Sequence, residues 1–141
     1  MPDTERGRTS TRSKARKRAL DILFESELRG EAALDTLAVR TADADPPVRD
    51  FTAELVRGVV AHQDEIDARI MAALSPTWTL PRMPRVDRNV LRIAVWEIDY
   101  AEVPDAIAVS EAVALVSDLS TDDSPSFVNG VLGSITATKV A

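Results

Sequence analysis

Apolar residues recur at three- and four-residue spacing along almost the whole chain, and nowhere do they alternate with polar ones. That period belongs to helices with one buried face, and it leaves no segment for a half-buried strand. Ala19, Leu20, Leu23, Phe24 and Leu28 define a first helix over residues 13–29, which Gly30 should stop. Leu34, Leu37 and Ala38 define a second over 31–41, broken by Asp43, Asp45, Pro46 and Pro47. The two prolines also suit the first turn of the next helix. Phe51, Leu55, Val59, Ile66, Ile70 and Leu74 then fit one long helix or two collinear ones. A break is expected at 62–64, with Asp64 as the cap of the second piece.

Three prolines make residues 77–84 a connector with at most one tight turn, pinned to the core by Trp78 and Leu80. Val86, Val90, Ile93, Ala94, Ile98 and Ala101 mark another helix. Leu91, Val95 and Trp96 widen its apolar surface beyond one stripe, which predicts a central position. After a turn at Val103, Pro104 and Asp105, a helix carries Val109, Ala112, Val113, Val116 and Leu119. The last helix opens with Ser124 as N-cap and Pro125 at the first position, followed by Phe127, Val128, Val131, Leu132 and Ile135. The expected fold is all-α, about seven helices in a compact bundle. Residues 1–12 are expected to be a flexible basic arm. Residues 13–141 are expected to form one helical domain with halves of roughly 13–75 and 76–141.

Composition excludes several kinds of chemistry. There is no cysteine and a single histidine, His62, so a thiolate nucleophile and a multi-histidine metal site are both ruled out. Gly7, Gly30, Gly58, Gly130 and Gly133 are scattered, so there is no phosphate-cradling loop, and the last two are expected to permit close helix packing. No apolar stretch approaches the length of a membrane span, and the basic N-terminus lacks the apolar core of a secretory signal. The expectation is a cytoplasmic protein with no catalytic residue, no metal, no cofactor and no membrane partner.

The net charge of −6 conceals two unlike regions. The first 18 residues carry Arg6, Arg8, Arg12, Lys14, Arg16, Lys17 and Arg18 against Asp3 and Glu5, whereas the rest of the chain is strongly acidic. An acidic body with a basic end suits contact with a polyanion. Because the basic run enters the first helix, Arg12, Arg16 and Lys17 should share or adjoin one face. A second candidate is the loop-to-helix junction from Asp122 to Gly130, where free backbone N–H groups and the Phe127 ring could meet an unpaired base. Phe127 also reads as a core residue, and Asp122 and Asp123 as carboxylates favoured at a helix start. Arg85, Arg88 and Arg92, spaced by three and four, form a third basic face beside Arg82, with Asp87 as a carboxylate partner within the helix.

Three blocks of sequence resemble the NusB transcription antitermination family. Ala15-Arg16-Lys17-Arg18-Ala19-Leu20-Asp21-Ile22-Leu23-Phe24 resembles its arginine-rich first helix. Val86-Asp87-Arg88-Asn89-Val90-Leu91-Arg92-Ile93-Ala94-Val95-Trp96-Glu97-Ile98 resembles its central helix. Val103-Pro104, Ala108-Val109-Ser110-Glu111-Ala112-Val113 and Asp123-Ser124-Pro125-Ser126-Phe127-Val128-Asn129-Gly130-Val131-Leu132-Gly133 resemble its C-terminal signature. The blocks stand in family order and together span nearly the whole chain.

The resemblance implies an N-terminal three-helix half and a C-terminal four-helix half. It implies a non-enzymatic factor that binds boxA, a single-stranded sequence in ribosomal RNA leader transcripts. It would do so together with NusE, a small-subunit ribosomal protein, within an RNA polymerase antitermination complex. The matched RNA-binding positions are Arg12, Lys14, Arg16, Lys17 and Arg18 in the arm and Asp123 and Phe127 at the junction. Asp87 and Arg88 match the region that faces NusE. Ser13, Ser110 and Ser117 depart from residues common in the family. The resemblance also admits a homodimer that covers the basic arm. Two other readings are a fragment of a ribosomal RNA cytosine methyltransferase, whose cofactor domain and catalytic cysteine would lie elsewhere, and a helical dimerisation module with no RNA role.

Overall fold

The computed structural model describes the backbone of residues 3–43 and 46–139, with side chains from residue 11 onward; Arg6 and Arg8 lie outside the described side chains. Among the described residues there are seven α-helices, one 3-10 turn and no strand. The helices are α1 (Asp3–Arg29), α2 (Ala33–Asp43), α3 (Asp50–Ala61), α4 (Gln63–Ala73), α5 (Arg85–Tyr100), α6 (Asp105–Leu119) and α7 (Ser124–Ala137). They fall into two compact units, Met1–Val60 and Ala61–Ala141. The first unit therefore holds three helices and the second four. The division between these units lies beside His62, whereas the expected halves met at roughly residue 75.

In the first unit α1 begins at Asp3, well before the residue-13 start that the apolar stripe marks. The expected arm boundary at residue 12 thus lies inside a continuous helix. Ala15, Ala19, Leu20, Ile22, Leu23, Leu37, Leu55, Val56 and Val59 are buried. Sequestering a leucine or valine side chain from water contributes about 1.5–3 kcal/mol. Gly30 ends α1 at φ +67°. Its N–H donates to the Glu27 carbonyl, and the Glu31 N–H donates to the Ser26 carbonyl at 2.9 Å, which is the Schellman arrangement. Arg40 of α2 grips Glu25 of α1 with both arms of its fork, at 3.0 and 2.7 Å. Thr52 Oγ1 of α3 donates to the Ala15 carbonyl of α1 at 2.9 Å. Pro46 and Pro47 lie before the first turn of α3, not inside it.

In the second unit α5 is central, as its wide apolar surface predicts. Every residue from Asp87 to Ile98 except Arg92 is buried, and the helix packs on α4, α6 and α7. Two forked pairs bind α4 to α5. Arg92 holds Asp67 at 2.8 and 3.0 Å, and Arg69 holds Asp99 at 3.0 and 3.1 Å. Arg69 also reaches the end of α7, donating to the Ile135 carbonyl at 3.1 Å and to Thr138 Oγ1 at 2.7 Å. These ties give α4 to the second unit. His62, and not Asp64, is the N-cap of α4, and its ring stacks on Tyr100 at 3.9 Å. Gly130 and Gly133 do not serve close packing: both are exposed, and a Cβ on either would meet nothing within 4 Å. Among the described residues no helix is long and apolar enough to cross a membrane, and no cluster of metal-ligating side chains occurs.

Candidate nucleic-acid interface

The basic side chains of α1 divide by helical geometry. Positions 12 and 16 are four apart and lie on one face. Their guanidinium carbons sit 4.4 and 5.4 Å from the centroid of the Phe51 ring of α3. Such a contact contributes about 0.5–1 kcal/mol at the surface and about 2 when desolvated. Arg12 keeps an exposed side against its aromatic rest, whereas Arg16 is only 2% exposed. Arg16 is therefore corrected from a phosphate contact to a buried spacer that sets α1 against Phe51.

Lys14 and Lys17 are exposed on other parts of the helix. Lys17 forms a wet ion pair with Asp21 at 3.2 Å, a bond too weak to withhold the ammonium from a phosphate. Arg18 is half-buried, with its Nε unpartnered. Among the described side chains, the accessible cations of this patch are Arg12, Lys14 and Lys17, with Arg18 at its margin. Arg12 and Arg16 share the face that meets Phe51, and Lys17 points to solvent beside it.

The junction before α7 belongs to the second unit. Asp123, the N-cap of α7, is exposed and makes no side-chain cap bond. Ser124 stands inside the helix and does not cap it. Its hydroxyl is buried and donates to Asp87 Oδ2 at 2.8 Å, while Ser120 donates to Asp87 Oδ1 at 2.6 Å. Thr121 donates its backbone N–H to Ser124 Oγ at 3.2 Å and so joins the same knot. Asp87 is 2% exposed. Its carboxylate cannot itself be presented to a partner; it fastens the 120–124 segment to the start of α5.

Arg88 is buried as well, at 7% exposure, and its Nη1 donates to the Leu80 carbonyl at 2.9 Å. The third basic face dissolves in the same way, because Arg92 is committed to Asp67 and only Arg85 of the three is exposed. Both residues expected to face a protein partner are thus internal supports of the connector and the junction.

Phe127 is half-buried, and its ring lies 5.9 Å from that of Trp78, tilted by 46°. Trp78 is 46% exposed and does not pin the connector; Leu80 does, at 6%. The residue pattern missed Trp78 as a surface group. The available signal was that Trp78 belongs to no periodic apolar set. On α6, Ser110 and Ser117 are both exposed, so their departures from the family pattern fall on the surface.

Comparison with known proteins agrees with this architecture. Residues 13–137 match the NusB family. A transcription antitermination protein NusB from Nocardioides sp. is 61% identical over 92% of this chain and 96% of its own length. One from Acidothermus cellulolyticus is 54% identical over 89% of this chain and 87% of its own length. Among solved structures, T. maritima NusB is 27% identical with a TM-score of 0.80, covering 92% of this chain and 93% of that one. A complex of the antitermination factors NusB and NusE with dsRNA contains a chain 28% identical with a TM-score of 0.78, covering 89% of this chain and 96% of that one. The chain belongs to the NusB family.

Proposed function

We propose that this chain is a non-catalytic, cytoplasmic RNA-binding factor that suppresses transcription termination. It binds boxA-type RNA of ribosomal leader transcripts together with NusE and joins an RNA polymerase antitermination complex. The observation that carries this reading is the family match over residues 13–137. A relative of the same fold, covered over 96% of its length, is found with NusE and dsRNA. RNA contacts are assigned to Arg12, Lys14, Lys17 and Arg18 on α1 and to Asp123 and Phe127 on the junction. Arg16, Asp87 and Arg88 act through the groups they hold: Phe51, the 120–124 segment and the connector. A homodimer that covers α1 would compete with RNA for the same cations.

The test is a salt titration of RNA binding by wild type and by a triple variant carrying Arg12→Gln, Lys14→Gln and Lys17→Gln. Arg16 is left in place because it is buried. Each phosphate neutralised on a single strand contributes a slope of about −0.7 in log K against log salt, so the triple variant should flatten the slope by roughly 2. Sequence preference should fall less than affinity, because phosphate contacts position the strand and base contacts specify it. Parallel lines for the two proteins would remove α1 from the interface.

A further inference from the structure

Trp78 is a large aromatic side chain left nearly half in water on a segment that is otherwise firmly held. The Trp78 N–H donates to the Ser75 carbonyl at 2.9 Å, and Leu80 is buried two residues on. The Leu80 carbonyl takes the Arg88 guanidinium, and the Thr77 carbonyl takes Arg82 Nη1 at 3.3 Å. The indole is therefore presented on a fixed backbone. Beside it lies the Phe127 ring, whose 46° tilt and 5.9 Å centroid spacing leave no slot for a base between the two. Trp78 thus has an aromatic neighbour and an exposed remainder, and exposed Arg82 and Arg85 supply cations on the same connector and the start of α5. A rigid exposed aromatic with adjacent arginines is what a base of a single strand stacks on while its phosphates are neutralised.

We propose that Trp78 is the outer stacking platform of the RNA site, taking one unpaired base on its exposed face, with Phe127 as its aromatic neighbour and Arg82 on the flanking phosphate. This rests on the RNA-binding reading above and extends the junction from α7 onto the connector. Platform and neighbour are held to the same helix from two sides: Arg88 of α5 fixes the connector, and Asp87 beside it fixes the segment leading into α7. The exchange of either anchor would move one ring relative to the other.

The experiment uses the full chain, NusE and a labelled single-stranded boxA-type RNA, with the same RNA as a duplex for comparison. Trp78→Leu keeps apolar bulk and removes the ring; Trp78→Phe keeps a smaller ring. An aromatic stack on one base predicts that Trp78→Leu weakens single-strand binding roughly 5- to 150-fold. Trp78→Phe should recover most of that loss. Emission gives an independent readout, because the other tryptophan, Trp96, is only 7% exposed. Saturating RNA should quench wild-type emission, and the quench should vanish in Trp78→Phe. Wild-type affinity in Trp78→Leu, or unquenched emission from a wild-type complex, overturns the platform while leaving the RNA-binding reading intact. Loss of NusE pairing with full RNA affinity in Trp78→Leu overturns it too and makes the ring a protein contact. Failure of wild type to bind RNA at all overturns both. Should Trp78→Leu fail to fold, the wild-type quench decides.

Discussion

Gly30 and Gly133 are the same residue in opposite backbone states. Gly30 sits at φ +67° beyond the end of α1, in a region where an L side chain is strained, although a Cβ there would meet nothing within 4 Å. The cost of Gly30→Ala is therefore backbone strain alone, about 1–2 kcal/mol of lost stability. Gly133 lies within α7, exposed, with the same empty surroundings. Gly133→Ala should stabilise the protein by about 0.4–1 kcal/mol, since alanine loses less freedom on entering a helix. Urea unfolding of the two variants checks the pair; equal shifts of the same sign would contradict the assigned geometry. The stop at Gly30 is legible in sequence because the apolar stripe ends there. The idle position of Gly133 is not, because no single residue records what its neighbours leave empty. Asp87 teaches the same lesson. Its place in the first turn of α5 can be read from the sequence, but its two serine donors lie 33 and 37 positions away.

At the level of helices, α1 and α2 are joined through the Arg40–Glu25 fork. The hydrogen bond from Arg40, opposed by some burial and aided by its charge, holds the Glu25 carboxyl below its ordinary value of 4.5. The folded-state value is the depressed one. Its stabilisation is therefore complete above the unfolded-chain value and is lost as pH falls through the folded value. Arg40→Met should accordingly be less stable than wild type at neutral pH. The gap should narrow below about pH 4.5 and close once Glu25 is protonated in both states. Denaturant midpoints across that range provide the check, and a gap independent of pH would show that Arg40 acts by packing alone. Helix existence was legible throughout, since each stripe repeats within its own segment. The start of α1 was not, because residues 3–12 carry no stripe to mark it. Nor was the allegiance of α4: Asp67 and Asp99 look like ordinary surface carboxylates until Arg92 and Arg69 meet them.

For the molecule as a whole, the acidic charge and the family match could both be read along the chain. The sorting of its cations could not. Of the basic residues singled out, Arg16, Arg88 and Arg92 are spent internally, and only a folded structure tells them from Arg12, Lys14 and Arg85. The same internal arginines impose an order on synthesis. Arg69 finds Asp99 30 positions later but meets Thr138 only after 69. At about 5–20 residues per second, the last anchor of α4 trails the helix by roughly 3–14 s. Protease protection of α4 on arrested nascent chains should therefore arrive in two steps, one after Asp99 and one after Thr138; complete protection at the first step would deny the second anchor a role. Through that interval Ile66 and Ile70, both fully buried in the finished protein, have only part of their cover. The ribosome-bound intermediate thus carries a sticky helix that the mature protein never shows, and that is the stage at which a chaperone has most to bind.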